Sequence, residues 1–256
     1  MTFFGMAGRT AVITGAGSGI GAACAPMLGA AGAHAVALDL DRDAAAATAN
    51  DVGGEAVAAD VSDPEAVQRA LTAAAARSGA IDVLLNNAGI ALDTHCFADT
   101  ETSHFLRHIE VNMLFVINGI RMGAALRAPR SAIVNTASVQ GLFAVPGYVS
   151  YAASNCGVVG LTKVAAMELG PGGIRVNAVS PTTVDTPMLH AVPAGGSGGR
   201  RIRERLGPGR HHRRRSRRGS RALPGCRRLP GDQWAGNRDR QRHHRWHQLS
   251  PLVTRA

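Results

Sequence analysis

Thr14-Gly15-Ala16-Gly17-Ser18-Gly19-Ile20-Gly21 is the stretch on which the fold turns. An apolar β-type run, Ala11 to Ile13, precedes it, and an Ala-rich helical run, Ala22 to Ala31, follows it. A strand that passes through glycines into a helix makes an anion cradle. Glycine tolerates positive φ and lets the backbone approach a ligand closely. The N–H groups and the dipole at the helix start favour negative charge. The competing reading is a tight β–α turn that holds nothing, because a glycine-rich turn by itself is a weak signal.

Working outward, Thr10 to Thr14 reads as strand one, Ser18 to Ala31 as its helix and His34 to Leu38 as strand two, which ends at Asp39. An acid about 20 residues beyond a glycine turn is placed to bond the ribose hydroxyls of an adenine dinucleotide. It repels a 2′-phosphate, which favours NAD over NADP; the alternative is a surface acid in the run Asp39, Asp41, Asp43. Ala44 to Asp51 reads as a helix and Glu55 to Ala59 as strand three, ending in Asp60-Val61. Ser62-Asp63-Pro64-Glu65 starts the next helix with a cap and a first-turn Pro. Ile81 to Leu85 is strand four and runs into Asn86-Asn87-Ala88-Gly89. This alternation predicts an α/β fold: a Rossmann-like doubly wound parallel sheet with helices on both faces.

Thr14 to Gly21, Asp60-Val61 and Asn86 to Gly89, in this order, resemble the short-chain dehydrogenase/reductase family over about residues 6–190. The resemblance implies a pyrophosphate cradle at Gly15, Ser18, Gly19, Ile20 and Gly21, adenine contacts at Asp60 and Val61, and a turn at Asn87, Ala88 and Gly89 that steadies the sheet beside the cofactor. On a helix over 100–127, Asn112 matches a family Asn that interrupts the helix and helps hold a proton-relay water. Strand five, Ser131 to Ala137, ends at Ser138, and Tyr151 follows 13 residues later on a helix from Ser150 to Gly170. Gly173 to Val179 reads as strand six. The segment Ser180 to Met188 resembles the one that closes over nicotinamide, with Pro181, Val184 and Thr186 as cofactor contacts and Thr182 where the family usually has Gly.

The implied chemistry is hydride transfer between a secondary alcohol and a ketone, the small-molecule partners. Tyr151 acts as acid/base beside the nicotinamide ribose, and Ser138 bonds the substrate oxygen. The family places a Lys four residues after the Tyr, one helical turn on and on the same face. Here that position is Asn155, which supplies no charge. A free phenol has a pKa near 10, so about one in a thousand is ionised at pH 7. Lys163, the single lysine, lies 12 residues beyond Tyr151, about 18 Å along a helix. Cofactor binding is expected to survive Asn155 while turnover falls by orders of magnitude. Leu142, Phe143, Val145, Met188 and Leu189 point to an apolar substrate.

The formal charge of +10 over 256 residues is unevenly spread. Residues 1–190 carry 10 Lys+Arg against 15 Asp+Glu, whereas residues 191–256 carry 18 against 3. The chain therefore divides into a dinucleotide-binding domain, 1–190, and an Arg/Gly/His-rich tail, 191–256, with the composition of a disordered segment. The tail has three readings. One is a nucleic-acid arm with Trp234 and Trp246 as stacking residues, which would make the whole a nucleotide-binding module rather than an enzyme. Another is a metal site from His243, His244 and His247, disfavoured because no acid or cysteine lies close by; no metal is expected. The preferred one is a shifted reading frame, since one Lys against 27 Arg marks GC-rich coding DNA and a frame change yields Arg, Gly, Pro and His. The usual last strand and helix of the family are then absent, and the homo-tetramer or dimer that the family implies is expected to suffer. Four scattered cysteines without a CxxC motif indicate neither a disulfide framework nor a zinc site. No apolar run has the length of a membrane span and the N-terminus does not read as a signal peptide, so a soluble, cytoplasmic chain is expected.

Overall fold

The computed structural model describes residues 5–191 apart from residues 93, 94, 96 and 144. The tail readings and the absence of the last strand and helix lie outside the described residues.

Six strands, β1 (Thr10–Thr14), β2 (His34–Asp39), β3 (Glu55–Ala58), β4 (Ile81–Asn86), β5 (Arg127–Thr136) and β6 (Arg175–Val179), form one parallel sheet in the order β3-β2-β1-β4-β5-β6. β1 is buried at every position, as a central strand covered on both faces must be. Its side chains alternate between two cores. Val12, with Val36, Leu38 and Leu84, packs under α3 (Pro64–Ser78), α5 (Phe115–Ala125) and α6 (Val149–Leu169) through Leu71, Phe115 and Val158. Ala11 and Ile13 face a shallower layer of small residues under α1 (Gly19–Ala30) and α2 (Arg42–Asn50), including Ala25 and Ala49. Burying Phe115, 1% exposed, contributes about 1.5–3 kcal/mol.

Between β1 and β4 the chain order reverses, which opens a crevice at the carboxyl ends of the strands. Several boundaries differ from the sequence expectation, two of them for a visible reason. α2 begins at Arg42 because Asp41 caps it, accepting from the Asp43 and Ala44 N–H groups at 3.0 Å. β5 begins at Arg127 because pairing with β4 resumes at Ile81 across a register shift. The expected helix over 100–127 divides into α4 (Thr102–His108), a wide π-turn (Ile109–Leu114) and α5. Asn112 lies inside the π-turn, so the interruption falls where the sequence placed it.

Candidate active site

Gly15 and Gly19 have φ of 64° and 54°, which only glycine adopts without strain. Gly21 is needed for a different reason. A Cβ there would lie 2.1 Å from the Gly15 carbonyl oxygen and 2.8 Å from Asn87 Nδ2. Gly21 thus sits beneath the turn and lets α1 pack on it; it does not line the cleft. Ser18 is the N-cap of α1, yet its side chain makes no capping bond.

The turn is braced from behind. Thr14 Oγ1 donates to the Leu85 carbonyl and accepts from the Asn87 and Ala88 N–H groups at 2.9 and 3.1 Å. Asn87 Nδ2 donates to the Thr14 carbonyl at 3.0 Å, and Thr136 Oγ1 donates to Asn87 Oδ1 at 3.2 Å. Asn87 therefore joins the ends of β1, β4 and β5. Below it, Asn86 Nδ2 donates to Asn135 Oδ1, and Asn135 Nδ2 to Thr162 Oγ1, both at 2.9 Å and fully buried. This chain fixes β4 and β5 against α6, and hence the strand that carries Ser138 against the helix that carries Tyr151.

At the end of β2, Asp39 Oδ2 accepts from Gly17 N–H at 2.7 Å and Oδ1 from Asp41 N–H at 3.0 Å. A Cβ on Gly17 would come within 2.9 Å of the Asp39 Cγ, so the carboxylate is locked against the glycine turn. Asp60 Oδ1 accepts from the Ser62 hydroxyl and N–H at 2.7 and 2.8 Å. These two bonds hold its carboxyl below the usual range.

One cavity of about 430 Å³ unites the predicted residues. Its lining holds Gly15, Ser18, Gly19, Ile20, Asp39, Asp60 and Val61, then Asn87, Ala88, Gly89 and Asn112, and also Ser138, Tyr151, Asn155, Pro181, Val184 and Thr186; Thr186 lies against Gly19. Met188 and Leu189 also reach it. Leu142 and Phe143 are instead 56% and 68% exposed and stand outside the lining, because the turn after Ser138 carries them to the surface. Val145 likewise stands outside the lining.

Asn155 is 4% exposed, and its Nδ2 donates to the Tyr151 carbonyl one turn back at 2.9 Å. Burial pushes the Tyr151 phenol above its ordinary value, while hydrogen bonds from the Ser138 and Asn155 side chains pull it down by less. Lys163 is exposed on α6 and does not line the cavity. Among the described residues Arg107 is the single Lys or Arg in the lining. It pairs with Glu110 at 3.0 Å and acts on Asp60 through its charge. Tyr148, buried with its ring 6.4 Å from that of Tyr151, also lines the site. Neither residue stands in a motif. Only the position of Tyr148, three residues before Tyr151 and at the start of the same helix, could have signalled it.

A glycine turn at a switch point, an acid at the next strand end and a Ser–Tyr pair in the same cavity define a doubly wound α/β protein with a candidate nucleotide site. The chain belongs to the short chain dehydrogenase family, whose profile matches residues 9–195. Among its relatives, D-threitol dehydrogenase of Mycolicibacterium smegmatis is 39% identical over 196 residues, covering 73% of this chain and 74% of that protein. Mitochondrial borneol dehydrogenase of Lavandula x intermedia is 39% identical over 184 residues, covering 71% of each. A crystal structure of a short chain dehydrogenase from Burkholderia cenocepacia J2315 in complex with NADP superposes with a TM-score of 0.70 at 33% identity, covering 79% of this chain and 84% of that one. The family consists of oxidoreductases that use nicotinamide cofactors. Among the described residues no helix is long and apolar enough to cross a membrane.

Proposed function

We propose that this chain is an NAD-dependent dehydrogenase that interconverts a secondary alcohol and its ketone, slowed by Asn155. The observation that carries the reading is that Ser138, Tyr151 and Asn155 share one cavity with the glycine turn and Asp39. The cradle fits a dinucleotide, since Gly15 and Gly19 line the cavity and Asp39 lines it too, with lone pairs to spare for ribose hydroxyls. A 2′-phosphate there would face the fixed carboxylate, which supports NAD over NADP. The names of the relatives support an alcohol or diol as substrate.

When bound, NAD supplies the acceptor for the hydride of the carbinol carbon. The residues of the chain handle the proton. Ser138 orients the substrate hydroxyl toward Tyr151, and the Tyr151 oxygen takes its proton in oxidation and returns it in reduction. Val184, Thr186 and Pro181 would hold the nicotinamide, and Asp60 and Val61 the adenine. Both Asn112 amide hydrogens are donated within the chain, to the Ile90 carbonyl and to Ser154 Oγ. Asn112 would serve the proton path through the main chain of the π-turn it occupies, an irregularity frequent at functional sites. Asn155 stabilises the phenolate by a hydrogen bond alone, without charge. The test is alcohol-dependent reduction of NAD with cyclohexanol as probe. Turnover is expected in Asn155→Lys and is expected to vanish in Asn155→Lys/Tyr151→Phe. Equal rates in these two variants would overturn the assignment of Tyr151.

A further inference from the structure

Two side chains one turn apart tie the loop after β4 to Tyr151. The lower one is Asn112. Its Oδ1 accepts from Ile90 N–H at 2.8 Å and its Nδ2 donates to the Ile90 carbonyl at 2.9 Å. Nδ2 also reaches Ser154 Oγ at 3.4 Å, whose hydroxyl donates to the Tyr151 carbonyl at 2.9 Å. The upper one is His108, the last residue of α4, 1% exposed. Its Nε2 lies 3.2 Å from Leu92 N and its Nδ1 2.9 Å from the His104 carbonyl. A carbonyl only accepts, so Nδ1 carries the proton, and Nε2 is then the lone-pair nitrogen that receives the Leu92 N–H. The same ring stands edge-on to the Tyr151 ring, with centroids 5.8 Å apart at 73°. Ile90 and Ala91 between these two ties are walls of the cavity.

We propose that His108 is a positioning residue that, with Asn112, clamps the Ile90–Leu92 wall of the active-site cleft to Tyr151, and that protonation of its Nε2 opens the upper arm of the clamp. This rests on the reading of the cleft as a dehydrogenase site. The protonated ring would turn a second N–H toward the Leu92 N–H, so the bond is lost rather than weakened. Among the described residues the titratable groups that face the ring are His104, one turn earlier on α4 with His95 against it at 4.8 Å, and Tyr151 from α6; Ile90, Ala91 and Leu92 carry no titratable side chain. Burial holds the imidazole below its ordinary value, and the charge of His104 adds to this. The clamp is therefore closed at neutral pH and opens as pH falls below the ordinary range of about 6.5.

The experiment is hydrogen–deuterium exchange of the full chain, read on peptides covering residues 88–92 and corrected for the pH dependence of intrinsic exchange. His108→Phe keeps a ring against Tyr151 and removes both bonds. His108→Gln keeps an acceptor for Leu92 N–H and cannot titrate. At about pH 7 the peptide is expected to exchange about tenfold faster in His108→Phe than in the parent, as loss of one hydrogen bond implies, and within about threefold of the parent in His108→Gln. In a descending pH series the parent is expected to lose its protection before the β1 amides do, while His108→Gln keeps it. A parent whose protection ignores acid, or a His108→Gln protein that follows the parent through acidification, overturns the proposal. Amides of β1 report global unfolding. Should His108→Phe fail to fold, the comparison of parent with His108→Gln still decides. NADH titration of the same samples separates the two ideas, because a chain that binds no NADH sinks the cofactor reading and leaves the clamp to the exchange data.

Discussion

Asn155→Lys would restore a cation one helical turn from Tyr151. Residues four apart on a helix have Cβ atoms about 5–6 Å apart, and Asn155 lines the cavity, so an ammonium can reach to about 4 Å from the phenolic oxygen. At an effective dielectric of about 20 this attraction is about 4 kcal/mol. The position is buried, 4% exposed, so desolvation of the lysine returns some of it. A net lowering of the phenol by about 2 pKa units remains, at 1.36 kcal/mol per unit. Phenolate at pH 7 then rises by about 100-fold, from below about one in a thousand. The phenolate so formed is a weaker base, which leaves an expected gain of about 10–100-fold in NAD reduction. The assay is the ultraviolet absorbance of phenolate, which is clean because the sequence holds 2 Tyr. In the parent both tyrosines are expected to ionise at or above the usual phenol range, since burial raises both. In the variant one tyrosine should titrate about 2 units lower, and that step should vanish when Tyr151 is replaced by Phe. The rate should follow. The parent gains about tenfold per pH unit through neutrality and beyond pH 10, whereas the variant levels off about 2 pH units earlier than the parent. Superposable titrations and rates within about twofold of each other would refute the reasoning.

Gly21→Ala places a Cβ 2.1 Å from the Gly15 carbonyl. It is expected to cost about 1–3 kcal/mol, read as a lower urea midpoint, and to abolish NADH binding by opening the turn. Asn135→Leu strips the partner from Asn86 Nδ2 and from one side of Thr162 Oγ1. A loss of about 2–4 kcal/mol is expected in urea unfolding, from one to two unpaired buried groups; an unchanged midpoint would show that the buried amides are not a structural chain. For the tail, the coding DNA read from codon 150 to beyond the stop is expected to show one base gained or lost between about codons 190 and 208. DNA that reads as given would instead favour the basic arm, and its signature is steeply salt-dependent RNA binding that disappears when residues 195–256 are deleted.

The glycine turn, Asp39 and the Asn86–Gly89 turn were legible because each is bound to a strand end, where backbone geometry dictates residue type. Ser138 and Tyr151 were legible through the resemblance to the family, and one cavity holds both. What stayed hidden depends on contacts between distant segments. Gly21 carries the signature of a cradle residue but serves packing, because only the fold shows α1 resting on the Gly15 carbonyl. His108 resembles any helical polar residue until Leu92 and Tyr151 are seen around it. Leu142 and Phe143 were read as substrate contacts from their hydropathy, but direction along a turn is set by backbone conformation, and the turn points them outward.

The measurement closest to the central claim is a fluorescence titration of the full chain with NADH and with NADPH, repeated for Asp39→Ser. The account predicts that the parent binds NADH at least about tenfold more tightly than NADPH, the factor that about 1.4 kcal/mol of carboxylate–phosphate repulsion supplies, and that Asp39→Ser narrows the gap. A parent that binds neither dinucleotide, or binds NADPH more tightly, would contradict it.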